Sequence, residues 1–545
     1  MSFRQAVRKL CKELANPASL QTKPFNSLPN AGKLIELGGH TRTKSRLEML
    51  QWIFLSGQAA FIVGACSSTS MAEDVSTASS SKNATSTDDF SGLLKVEDES
   101  VKSNEHTSKW RVFTDNGREY FLKASSFGNI PQAERFFLSA LQEAKQGFGE
   151  RDPHVASACN NLAELYRVSK DFDKAEPLYV EAVNILEEYF GVNDVRVGAA
   201  LHNLGHFYLG QRKLEKARVC YERALKIKRR VLGEAHTEYA DTMYHLGTVL
   251  YLQGKEKDAE YLILDSIDIM EAGGHGESIS CVRRMQHLAQ IYNKSNRFPE
   301  AENILRKILH MMELSKGWKS LDTVVIAERL ALTLEAAGKL KEAVELLERC
   351  LDARKNLRHH EHIQTAADML HIARMKILIT KELPEANNSQ AMAELDKSRS
   401  LLNDSVRIAR KLIDRFLEQK EKTERFGGSQ RTRKDGHSAV VILLQSLNAL
   451  GALEIMEQGF LSSQTQEHIK AEANASLRQC ISTFQELRSE QSISDSLETK
   501  AEYLSCLRSL YLSIRKGAAR QAGEEKEIQE EIRQVEDEIS NARKT

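Results

Sequence analysis

Two histidines one helical turn apart, His202 and His206, have metal-compatible spacing, because side chains at i and i+4 share a helix face. No third ligand accompanies them in the sequence, so a polar or packing role is expected there and no metal. The run His359-His360-Glu361-His362 falls between helical segments, where solvation is the expected role. The 8 cysteines show neither CxxC spacing nor clustering with histidine. Cys159, Cys220, Cys281 and Cys350 fall in helical segments, where a small buried thiol is expected rather than redox chemistry. Phosphate-cradling glycine loops, GxSxG elbows and HExxH runs are absent, and no acid, base and nucleophile converge on one segment. The expectation is a non-catalytic protein with no metal and no cofactor.

Nucleic acid is an equally poor fit. The 76 Lys and Arg equal the 76 Asp and Glu, so no global field favours phosphate. Lys226, Lys228, Arg229 and Arg230 end a helical segment, where cations complement the C-terminal dipole. Arg431, Arg433 and Lys434 lack interleaved aromatics on which bases stack.

A chain of this kind works through its surfaces, and the elements that present them are helical: there are only 8 Pro and 6% aromatics. An apolar residue followed by a small one recurs at Leu162-Ala163, Leu204-Gly205, Leu246-Gly247, Leu288-Ala289, Leu330-Ala331 and Ile372-Ala373, in steps of 42 (204 − 162 = 42). Ala133, Ala175, Ala217, Ala259, Ala301 and Ala343 keep the same step, as do the bulky Tyr179, Tyr221, Ile263, Leu305 and Leu347. The small residue lets two helices approach, and the large one fills the gap to the neighbouring unit. Breakers fall between these series, at Gly254-Lys255 and Gly338-Lys339 within units and at Gly191 and Gly233 between them. The fold class expected is all-α, an α-solenoid of helical hairpins with a C-terminal helical extension.

Asn160 to Tyr166 (NNLAELY) with Ala175 to Val183 (AEPLYVEAV), and His202 to Tyr208 (HNLGHFY) with Gly233 to His236 (GEAH), resemble the tetratricopeptide repeats (TPR) of kinesin light chains. The resemblance spans roughly residues 118–380 and shares the 42-residue step, longer than the standard unit of about 34. It implies that the first helix of each pair lines a concave face and that the residue before the apolar-small pair points into it. Those positions are Asn161, Asn203, His245, His287, Arg329 and His371, with Arg283 one turn before His287 on the same face. Asn pairs with backbone amides, whereas His and Arg offer cationic or titratable partners. The expected partner is a protein client, an acidic or extended segment held in the groove. Asp241 stands where a peptide clamp would want a cation, and residues 1–108 lack the heptads that precede the repeats in kinesin light chains.

Outside the repeats, residues 1–66 read as a targeting leader. Phe3, Val7, Leu10 and Leu14 oppose Arg4, Arg8, Lys9 and Lys12 in a basic amphipathic helix, and through Arg46 the only acids are Glu13 and Glu36. Arginine from the fourth residue favours the mitochondrion, with chloroplast and then cytoplasm as alternatives. The apolar run 52–66 is short for a spanning helix; membrane anchor, second sorting signal and discarded leader all remain open. Residues 67–108 read as a disordered linker, 109–390 as the solenoid, 391–522 as degenerate helical repeats and 523–545 as a charged helix or short coiled coil. Within 110–122, Asp115-Asn116-Gly117 is turn chemistry, but the repeat register favours a degenerate helix. A basic loop is expected from Lys420 to His437, and Val440 to Met456 should be buried. That buried run would pair with Ala471 to Leu487, Leu450-Gly451 taking the small-residue role. Ile528, Ile532, Val535 and Ile539 form a seam through which the chain would either cap the array or oligomerise. The functional expectation is an organellar scaffold or assembly factor; the alternatives are a cytoplasmic cargo adaptor of kinesin-light-chain type and an RNA-binding repeat protein.

Overall fold

Eighteen helices and no strand make up the described part of the chain. The structure is a computed structural model, described over residues 104–127, 130–356, 361–381, 388–423, 430–457, 463–488, 496–515 and 522–544. The leader and nearly all of the expected linker lie outside the described residues. The helices pair in chain order, each hairpin packing on the next. The first hairpins are α1 (Glu105–Phe127) with α2 (Ile130–Phe148), α3 (Pro153–Val168) with α4 (Phe172–Phe190), and α5 (Val195–Gly210) with α6 (Leu214–Val231). Then come α7 (Thr237–Leu252) with α8 (Glu256–Ala272), α9 (Ile279–Lys294) with α10 (Phe298–Lys316), and α11 (Leu321–Ala336) with α12 (Leu340–Asn356). The last are α13 (Ile363–Lys381) with α14 (Asn388–Thr423), α15 (Gln430–Glu457) with α16 (Ser463–Leu487), and α17 (Leu497–Arg515) with α18 (Ala522–Lys544).

The period is carried by the helix boundaries themselves. First helices begin at 153, 195, 237, 279, 321 and 363, and second helices at 172, 214, 256, 298 and 340, every step being 42 (195 − 153 = 42). The residue before each first helix follows the same step, and most of these residues cap it. Asp152 and Asp194 accept from the amides of His154 and Arg196 at 2.8 and 2.9 Å, and Ser278 accepts from Cys281 at 3.2 Å. His236 and His362 do the same through Nδ1, at 3.2 and 3.1 Å. The turn inside each hairpin needs one left-handed residue, supplied at the same step by Lys170, Arg212, Gly254, Asn296 and Gly338 with φ of 66, 60, 79, 56 and 79°.

The small and large series meet as the sequence implies. A Cβ added at Gly205 would lie 3.0–3.1 Å from the Tyr221 ring, and one at Gly247 would lie 2.9 Å from Ile263 Cγ1. Each bulky member is fully buried, and each such side chain contributes about 1.5–3 kcal/mol through its burial. Further along, a Cβ at Gly451 would lie 2.6 Å from Leu477 Cγ, so α15 and α16 repeat the arrangement beyond the periodic stretch. The Gly436–Glu457 part of α15 is long and apolar enough to cross a membrane, but 89% of its apolar window is buried in the protein core.

Two expectations need correction, and one pair of alternatives is resolved. Helix α1 begins at Glu105, so the last residues assigned to the linker are already helical, while 110–122 is helix as the repeat register favours. Most of the basic stretch 420–437 is helix and not loop, since α14 runs to Thr423 and α15 starts at Gln430; residues 424–429 lie outside the described residues. Lys, Arg, Glu and Gln are good helix formers, and their charge alone does not make a loop. Finally, Ile528, Val535 and Ile539 of α18 are buried against the preceding helices, and Ile532 packs on the same core. Arg478 and Arg508 pair with Glu524 and Glu536 at 2.9 and 2.6 Å, so of the two alternatives for this seam the structure shows the capping one, the helix packed on the preceding hairpins.

Candidate functional site

The predicted ladder occupies equivalent positions on α3, α5, α7, α9, α11 and α13, and from Asn203 onward each member touches the first helix before it. Asn203 Nδ2 donates to Asn160 Oδ1 at 3.0 Å. The His245 ring lies 5.2 and 5.5 Å from those of His202 and His206, and the His287 ring lies 5.7 and 6.1 Å from Tyr244 and Tyr251. Arg329 Nη1 donates to Gln286 Oε1 at 3.1 Å, and His371 Nδ1 pairs with Glu335 Oε2 at 2.9 Å. These contacts join successive first helices from α3 to α13. The ladder's ends are less open than the sequence implied: Asn161, Asn203 and His371 are buried, whereas His245, Arg283, His287 and Arg329 are half-buried.

Charge along the line also departs from expectation. Burial first, then the charges of His206 and Lys228, pushes His245 down to about 3. Burial and Lys294 bring His287 down to about 4. His202 is held well below its ordinary value by burial and by Lys228. At neutral pH these imidazoles are uncharged and serve as ring edges and hydrogen-bond partners, not as cations. His202 Nδ1 pairs with Thr242 Oγ1 at 3.0 Å and its ring packs edge-on against Tyr221, which accounts for the His202–His206 pair by packing. Among the described residues no group of three or more His, Cys, Asp and Glu side chains is arranged to hold a metal ion. Asp241, the residue out of place for a clamp, ion-pairs with buried Arg284 of the next first helix. Arg284 Nη1 also donates to Ser266 Oγ at 2.7 Å.

A second periodic network went unread in the sequence. The glutamate after the small alanine of a second helix accepts from a tyrosine 32 residues later: Glu134 from Tyr166 at 2.9 Å, Glu176 from Tyr208 at 3.0 Å and Glu260 from Tyr292 at 2.9 Å. A cation 37 residues on closes the clasp, as Lys213 to Glu176 at 3.0 Å, Arg297 to Glu260 at 2.7 Å and Lys339 to Glu302 at 2.9 Å. Although burial would raise it, Lys216, Lys213 and Tyr208 together bring the Glu176 carboxyl down to about 2. The signal was available in the Ala-Glu dipeptides at the 42-residue step. Cys159, Cys220, Cys281 and Cys350 are buried free thiols, as their helical positions implied.

Tetratricopeptide-repeat family models match residues 125–188, 196–272 and 323–363. No curated protein sequence matches the chain. Among solved structures it is similar to kinesin-light-chain-type TPR-like repeats from Podosopora anserina, 19% identical over 38% of this chain and 99% of that one, with a TM-score of 0.36. It is also similar to BtubC (BKLC) from P. vanneervenii, 19% identical over 47% of this chain and 94% of that one, TM-score 0.35. The apo form of RapI is 13% identical over 76% of this chain and 100% of that one, TM-score 0.43. The chain therefore carries tetratricopeptide repeats at residues 125–188, 196–272 and 323–363.

Proposed function

We propose that this protein is a non-catalytic scaffold or assembly factor whose solenoid holds a segment of a client protein along the first-helix ladder. The observation that supports this reading is the regular register of side chains from Asn161 to His371, one per hairpin on successive first helices, which matches an elongated guest better than a compact one. Half-buried Arg283 and Arg329 give that line its cations, and His245 and His287 contribute uncharged ring edges between them. An extended segment with acidic groups toward the arginines suits this order. The proposed setting is an organelle, the mitochondrion first, on the strength of the basic amphipathic leader.

Affinity capture with the full chain tests the reading. Arg283→Glu with Arg329→Glu should release the client, whereas Val219→Glu, on the exposed side of α6, should retain it. Capture of the same proteins by all three forms would remove the groove from consideration. A C-terminal fluorescent fusion tests the setting separately: diffuse cytosolic signal would favour a cytoplasmic adaptor.

A further inference from the structure

Cys480 of α16 and Cys506 of α17 are joined in a disulfide, with Cα atoms 6.4 Å apart and a sequence separation of 26. Both are fully buried. Their sulfurs lie 3.5 and 3.8 Å from the Leu444 carbonyl oxygen of α15, so three helices meet at the bond. Phe484 and Tyr503 stack nearby with ring centroids 4.0 Å apart, and the Tyr503 hydroxyl donates to Glu531 of α18. The four free cysteines of the described residues are buried singly.

The position has a physical logic. Hairpins of a solenoid are stabilised by their neighbours, and among the described residues the α17–α18 hairpin packs on one neighbouring hairpin, so a cross-link to that neighbour has the most to add. The disulfide links the last hairpin, α17–α18, to the one before it, α15–α16. We infer that this pair is a structural cross-link made by thiol–disulfide exchange while the C-terminal hairpins are still open, so that the chain completes its folding where a disulfide-bearing oxidant is supplied. In the exchange, one cysteine thiolate attacks an external disulfide RS–SR, forming a mixed disulfide and releasing RS⁻. The second thiolate then attacks the cysteine sulfur of that mixed disulfide, closing the Cys480–Cys506 bond and releasing another RS⁻. Two electrons pass to the external disulfide, and the two thiol protons end on the released thiols. Once α15, α16 and α17 have closed on the bond, oxidant and reductant are both shut out, and reduction requires the end of the array to open first.

Thiol counting tests this on the full chain. Cells making the protein are quenched in acid, the protein is denatured, and thiols are labelled with a maleimide-linked polymer before or after reduction. Two additional labels after reduction are expected, and Cys480→Ser should abolish that increment. Equal labelling of the native chain before and after reduction overturns the inference. On the purified chain, reductant should lower the urea midpoint to that of the Cys480→Ser, Cys506→Ser double variant, whose own midpoint should not respond. A disulfide that is present but whose reduction leaves the midpoint unmoved would equally overturn the structural role.

Discussion

Replacing Gly247 by alanine should destabilise the array, although glycine to alanine inside a helix ordinarily stabilises. The intrinsic preference favours alanine by about 0.8–1.0 kcal/mol. Against this, the new Cβ would lie 2.9 Å from Ile263 Cγ1, 3.2 Å from the Ala259 carbonyl oxygen and 3.3 Å from Leu262 Cβ. Two of these neighbours are side-chain atoms, but the carbonyl belongs to the backbone of α8 and cannot rotate away. Overpacking of this kind typically costs about 1–3 kcal/mol, so the net effect should lie between about 0 and 2 kcal/mol of destabilisation. Ile263→Ala alone should cost about 2–5 kcal/mol, because Ile263 is fully buried and leaves a cavity. In that background the closest contact is gone while the Ala259 carbonyl remains, and Gly247→Ala should lose most of its cost. The coupling between the two substitutions is then about 1–3 kcal/mol, read from urea midpoints by circular dichroism at constant m-value. Gly210→Ala is the control, since nothing lies within 4 Å of its added Cβ, and it should not destabilise. If Gly247→Ala raises the native midpoint as much as the intrinsic preference predicts, the close helix approach that organises the whole repeat is refuted.

Lys170→Gly and Arg212→Gly should each stabilise by about 1 kcal/mol, because both residues hold left-handed φ of 66 and 60° where Gly254 and Gly338 sit in equivalent turns; thermal midpoints check this. Asp194→Ala removes an N-cap and should cost about 1 kcal/mol, while Asp194→Ser should recover most of it. Burial, and then Glu328 beside it, raises the carboxyl of Asp368 well above its ordinary value, and burial also raises Glu328 despite its bond from Arg354 Nε at 2.6 Å. A raised folded value means that this site's contribution is full below the unfolded values near about 4 and is lost as pH rises through the folded ones. Asp368→Asn, which keeps the neutral form, should flatten the fall in urea midpoint as pH rises above the unfolded values near about 4; an unchanged slope would remove this site as its cause.

The period was legible because packing demands it: Gly205 faces Tyr221 and Gly247 faces Ile263, so a small residue and a large one must recur at fixed separation. The same demand exposed Gly451 opposite Leu477, although α14 already starts off the 42-residue step (388 − 340 = 48). Boundaries were harder where residues are equally at home in helix and solvent. The stretch from Lys420 to His437 looked like a loop only because it is charged. The Cys480–Cys506 bond had no signature at all, since it arises from the stacking of two hairpins and not from any local spacing.

The ladder shows most clearly what a sequence withholds. The positions Asn161, Asn203, His245, His287, Arg329 and His371 followed from the repeat register, and from Asn203 onward the structure connects each to the first helix before it. Their chemistry did not follow, because it is set by residues one repeat away. His245 reads as a titratable partner in isolation, yet it lies among His202, His206, Tyr221 and Tyr244, where adding a proton would place a charge in a crowded and poorly solvated cluster. Asp241 reads as a defect in a cationic groove until Arg284 arrives from the following helix. In a solenoid the unit of chemistry is therefore the interface between hairpins, so a substitution in one repeat changes the electrostatics of its neighbour. Arg284→Met should accordingly leave Asp241 as the uncompensated charge, and Arg284→Met with Asp241→Asn should be more stable than Arg284→Met alone. Equal midpoints for the two variants would show that the rungs act independently.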